Sequence, residues 1–137
     1  MVIIRNVNES HFMNVDLDIY SRSSLEPLVA AMGQRVRVLF VGRTKRTYEA
    51  HLELRRITQT ADSTIRGFCA LVRALSKAQR NLWDQAKVRE FSVGIQAQLK
   101  PITFEITLDE RTVRAAYEVN ARINFTIYSP SMKNING

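Results

Sequence analysis

Two stretches of the chain carry ionisable side chains at the two-residue spacing of a β-strand: Asp16 and Asp18 in NVDLDIY, and Glu49, His51 and Glu53 in TYEAHLEL. Successive residues of a strand face opposite ways, so each set projects from one side of its strand. If the two strands are neighbours, four carboxylates and an imidazole converge. Such a group could hold a hard or borderline metal ion or perform general acid–base chemistry. Alternating charge is also what an antiparallel sheet with one wet face requires. Arg35 and Arg37, on a third stretch, would then neutralise the acids as cross-strand pairs. These seven residues, Asp16, Asp18, Arg35, Arg37, Glu49, His51 and Glu53, are the candidate binding residues. No catalytic residue can be assigned and no metal ligand set is assigned.

Other chemistry is sparse. His11 stands at a strand start without an evident partner. Cys69 lies on the apolar face of a helical stretch and reads as a small core residue, since a nucleophilic thiol needs a polar, partly exposed setting. Five scattered glycines exclude a dinucleotide fingerprint, and neither a phosphate loop nor a nucleophile elbow occurs. No cofactor is expected.

The elements that position these residues surround Ala61–Phe91, the longest stretch with helical periodicity. Ile65, Phe68, Cys69, Val72 and Leu75 line one face. Asp62 or Ser63 can cap its start, and Ser76 with Gln79 has the form of a second cap, which predicts two helices. Leu82, Trp83 and Ala86 face inward on the second. Strands are predicted over Phe12–Tyr20, Arg35–Val41, Tyr48–Arg55, Phe91–Leu99 and Ala121–Tyr128, with Ile102, Phe104 and Ile106 as a hairpin partner after Lys100-Pro101. The run VLFV, apolar on both faces, places Arg35–Val41 inside the sheet. Ser23 and Glu26 begin a helix that Gly33 ends. Thr107 and Glu110 begin another, with Val113, Ala116 and Tyr117 inward.

The order β-α-β-β-α-α-β-β-α-β predicts an α+β two-layer sandwich, a mainly antiparallel sheet of about six strands with helices on one face. Its start is ferredoxin-like, with an appended β-α-β unit. Residues 1–137 read as a single domain, with 1–10 a loose arm and 130–137 a frayed tail.

The C-terminal third, ITFEITLDERTVRAAYEVNARINFTIY, resembles the close of small bacterial α+β domains of the immunity-protein-like kind. The resemblance rests on an alternating strand, a short helix and a final strand ending in Tyr128. It implies the fold class and a partner-binding role, and it transfers no functional residue.

With 45% hydrophobic and 24% charged residues, the composition is that of a globular domain and excludes disorder over most of the length. No apolar run approaches the roughly 20 residues that span a bilayer. The N-terminal stretch lacks the features of a signal peptide, and a single cysteine fits the cytoplasm. The net charge of +7 raises a nucleic-acid reading. Arg43, Lys45 and Arg46 form one patch; Arg66, Arg73, Lys77 and Arg80 form a stripe on the central helices. The stacking aromatics are absent, because Phe12, Phe40, Phe68, Phe104 and Phe125 fall on apolar sides. Three classes therefore stay open. The first is a non-catalytic interaction protein of the bacterial cytoplasm, with an unidentified protein partner and a homodimeric state. The second is a weak nucleic-acid binder, and the third a small enzyme or metal protein using the acidic/His sheet face. No membrane partner is expected.

Overall fold

Alternation decides the centre of the sheet. In the computed structural model, which describes residues 8–56 and 60–130, β1 (His11–Ser21) buries Val15, Leu17 and Ile19. The residues between them, Asp16, Asp18 and Tyr20, turn to the other face. β1 lies between two antiparallel neighbours. One is β3 (Thr47–Leu54), which buries Ala50 and Leu52; the other is β4 (Val88–Gln96), which buries Phe91 and Val93. β2 (Val36–Thr44) pairs antiparallel with β3, and β5 (Arg122–Tyr128) pairs parallel with β4. The result is an α+β fold with one open, mixed sheet in the order β2-β3-β1-β4-β5.

Among the described residues four α-helices supply the apolar layer: α1 (Glu26–Met32), α2 (Ala61–Arg73), α3 (Lys77–Gln85) and α4 (Glu110–Glu118). Ile65, Phe68, Cys69 and Val72 of α2 form a single core with the inward strand residues, and the Phe68 and Phe91 rings stack at 5.8 Å. The two central helices are separate, as expected. Ser76 caps α3 by accepting from the Gln79 amide. Trp83 is fully buried, and its indole N–H donates to the Val119 carbonyl at 2.7 Å. Arg89 on β4 donates to the carbonyls of Trp83, Asp84 and Ala86 and, through Nε, to that of Asn120. It thereby adds a donor to carbonyls at the end of α3, of which that of Trp83 also accepts from the Ala86 amide. The parallel β4–β5 pair needs a crossover, and α4 lies on it. Among the described residues no helix is long and apolar enough to cross a membrane.

Several expectations are corrected. The sheet has five strands among the described residues, because 102–106 carry no strand and Ile102 is 99% exposed. β2 is an edge strand, and its Val38, Leu39 and Phe40 are exposed. A bulge between Val38 and Phe40 shifts the register there, so Phe40 stands opposite His51 on the polar face. Phe104 and Phe125 are also exposed. On α4, Thr112, Ala115 and Ala116 face inward, while Val113 and Tyr117 are exposed, the latter by 80%. The α4 cap is Asp109, whose carboxylate accepts from two amides, those of Arg111 and Thr112. Thr60 caps α2, and α1 has no side-chain cap. Residues 8–10 are tied to the strand-end region by a bridge from Glu9 to Lys100 and by Ser10 N–H donating to the Lys100 carbonyl. The remainder of the expected arm, and the tail beyond Pro130, lie outside the described residues.

Candidate functional site

The register of the ladders joins the polar residues into two rows that cross all five strands. Arg37, Glu53, Asp16, Ser92 and Asn124 form one; Phe40, His51, Asp18, Glu90 and Arg122 form the other. Directly opposed residues share a face, so each row is a line of adjacent side chains. The strands carrying Asp16/Asp18 and Glu49/His51/Glu53 are therefore neighbours, and the anticipated convergence occurs.

His51 is its hub. Nδ1 lies 2.7 Å from Asp18 Oδ1, and Nε2 lies 3.1 Å from Glu49 Oε1. Carboxylates accept hydrogen bonds, so an N–H on each ring nitrogen has an acceptor in place, which favours the imidazolium form. Burial pulls its pKa down, but the hydrogen bonds and charges of Asp18 and Glu49 outweigh burial and raise it above the ordinary value. Tyr20 meets the ring edge-on at 5.6 Å, and the Phe40 ring lies tilted at 6.2 Å.

The chain of contacts continues past Asp18. Ser92 Oγ is 2.6 Å from Asp18 Oδ2 and 3.0 Å from Glu90 Oε2, so two carboxylates share one hydroxyl hydrogen. Arg122 Nε donates to Glu90 Oε1 at 2.8 Å. In the other row, Asn14 Nδ2 donates to Asp16 Oδ1 at 2.9 Å, and Arg37 reaches Glu53 at 3.6 Å. Asp16 is pushed up to about 6, first by burial and then by the charges of Glu53 and Asp18. Burial and the charges of Asp18 and Glu49 likewise raise the Tyr20 phenol.

This arrangement holds charge in place. Ser92 donates to the Asp18 and Glu90 carboxylates, while both ring nitrogens of His51 are engaged by Asp18 and Glu49. Among the described residues no group of three or more His, Cys, Asp or Glu side chains is arranged to hold a metal ion. A cleft of about 210 Å³ touches the rim at Asn14, Arg37 and Glu53 without including His51 in its wall.

Six of the seven anticipated residues sit on this face. Arg35 does not: it precedes β2 and lines a different cleft, with Arg55 and Arg56. Ser92, Glu90, Asn14, Arg122 and Phe40 belong to the face although they were not among the candidates. The period-2 polar positions of 88–96 and 121–128 carry a signal for Glu90, Ser92 and Arg122, while nothing in the sequence announces the bulge that turns Phe40.

The other candidates resolve into structural roles. His11 Nδ1 lies 2.8 Å from the Glu9 carbonyl. Cys69 is buried, and burial pushes its thiol up to about 11, away from reactive thiolate. The basic stripe is divided: Arg66 joins α2 to α4 through Asp109 and Thr112, and Arg80 bonds Asp84 and the Glu118 carbonyl. Comparison with protein-family models, with curated proteins and with solved structures finds no match for the chain.

Proposed function

We propose that the chain is a non-catalytic interaction protein, immunity-protein-like in its mode of action, that recognises a protein partner across the polar sheet face. Asp16, Asp18, Arg37, Glu49, His51 and Glu53 are the contact set. One observation carries the reading: His51 is fixed by carboxylates on both ring nitrogens, in a row that spans the whole sheet. Side chains already locked by one another lose little freedom on binding, so such a face presents a pre-set charge pattern to a complementary surface. The single buried cysteine agrees with a cytoplasmic setting.

The fold belongs to the same reading. We take it as a two-layer sandwich with a ferredoxin-like start, supported by the neighbour order β4-β1-β3-β2 and by the all-antiparallel pairing of those four strands. The β4-α4-β5 unit is the appended part. Among the described residues the outer strands β2 and β5 have no strand beyond them, which favours a homodimer.

The test is affinity capture from the source cell with wild-type protein, with Glu49→Lys/Glu53→Lys, and with Glu110→Lys/Glu118→Lys on α4 as control. A protein retained by wild type and control but lost from the sheet-face variant is expected. Retention by all three would refute the reading.

A further inference from the structure

The net charge is localised. From Arg35 to Arg56, seven Lys and Arg residues oppose only Glu49 and Glu53, a net of +5 in a chain whose net is +7. This segment is the β2–β3 hairpin with its flanks. Along β2 the cations bracket an apolar centre: Arg35 and Arg37 precede the exposed Val38, Leu39 and Phe40, and Arg43 follows them. β2 itself contains no acidic residue.

Beside the start of β2 a cleft of about 530 Å³ opens toward α2, with Leu54, Ala70 and Leu71 in its wall. Arg35, Arg55 and Arg56 line the same cleft, and none of them makes an ion pair among the described residues. The outer edge of β2 also has no strand beside it among the described residues, so a row of backbone amides and carbonyls faces outward. Cations around an apolar floor, next to an unpaired edge, select for one chemistry. The occupant brings carboxylates, an apolar side chain and a backbone able to pair.

We propose that β2 and this cleft form a second binding site, which takes an extended acidic segment of a polypeptide by strand addition. The segment pairs with the β2 edge, seats an apolar side chain on Leu54 and Leu71, and places carboxylates against Arg35, Arg55 and Arg56. The inference rests on the reading of the chain as an interaction protein, but it uses a surface other than the polar sheet face. A nucleic acid offers anions without a pairing backbone, and it would leave the apolar centre of β2 unused.

The experiment selects peptides from a random ten-residue display library against the intact protein. Selected sequences should alternate apolar residues with Asp or Glu. Their affinity should fall at least tenfold for Arg35→Ser/Arg55→Ser/Arg56→Ser. It should fall similarly when the peptide is N-methylated at alternate backbone positions, which removes pairing while leaving its side chains and the protein unchanged. Glu49→Lys/Glu53→Lys serves as the separate readout for the sheet face. Binding lost only in that variant would overturn the edge site while sparing the face. Selection of peptides without acidic residues, indifference to N-methylation, or tighter binding of a single-stranded oligonucleotide than of any selected peptide would each overturn the proposal.

Discussion

Across the β1–β3 ladder, His51 Nδ1 lies 2.7 Å from Asp18 Oδ1, while Asp18 Oδ2 accepts from Ser92 on the opposite neighbour β4. One carboxylate thus joins three strands on the wet face of the sheet. Asp18→Asn should remove a charge and a hydrogen-bond acceptor that favour imidazolium, and so lower the His51 pKa. A histidine ring titration followed by NMR checks this. An unchanged His51 titration in that variant would mean that Glu49 alone fixes its charge.

Stability should fall as pH rises from about 4 through the neutral range. Asp16 is raised from 3.8 to about 6, so the folded state binds its proton more tightly, and the stability this gives is lost as pH passes through that window. His51 is raised from 6.5; its contribution is complete below that value and is lost as pH passes through the raised folded pKa. Both terms have the same sign. Asp16→Asn should flatten the lower part of the profile and stabilise the protein near neutral pH by roughly 1 kcal/mol, a shift of this size being discounted for the partly exposed site. Urea melts at several pH values measure it.

Trp83→Ala should destabilise by about 3–5 kcal/mol through lost burial and a cavity. Trp83→Phe keeps most of the ring but leaves the Val119 carbonyl without its indole donor, costing about 1–3 kcal/mol. Chemical denaturation of the two variants separates packing from the hydrogen bond.

Cys69 should resist alkylation in the native protein at pH 8 and react at once in denaturant, because the thiol is buried and held up to about 11. Iodoacetamide labelling followed by mass spectrometry reads the difference. Rapid native labelling would show that α2 opens readily from the sheet.

The sheet face was legible because a period of two is a local property. Asp16 and Asp18, or Glu49, His51 and Glu53, need only their own strand to share a side. That these strands are adjacent, and that β4 brings Ser92 between Asp18 and Glu90, depends on long-range pairing that no local spacing encodes. VLFV misled for a related reason: an apolar run reads as interior, whereas the bulge at Leu39 exposes it on an edge. On α4 two stripes compete, and the smaller Thr112, Ala115 and Ala116 face inward in place of Val113 and Tyr117. Arg66 donating to Thr112 Oγ1 at 3.0 Å helps hold that choice. The cap at Asp109 won over Thr107 because a carboxylate can accept from two free amides at once. Of the +7 charge, five units lie between Arg35 and Arg56, a segment of which the sequence reading singles out only Arg43, Lys45 and Arg46 as a basic patch.

The central claim is that a partner covers the polar sheet face, and carboxyl footprinting of the captured complex tests it most directly. Carbodiimide labelling of Asp16 and Glu53 should fall several-fold when the partner is bound, while Glu110 and Glu118 on α4 label as in the free protein. Unchanged labelling of Asp16 and Glu53, with protection on α4, would contradict the account and move the recognition surface to the helical side.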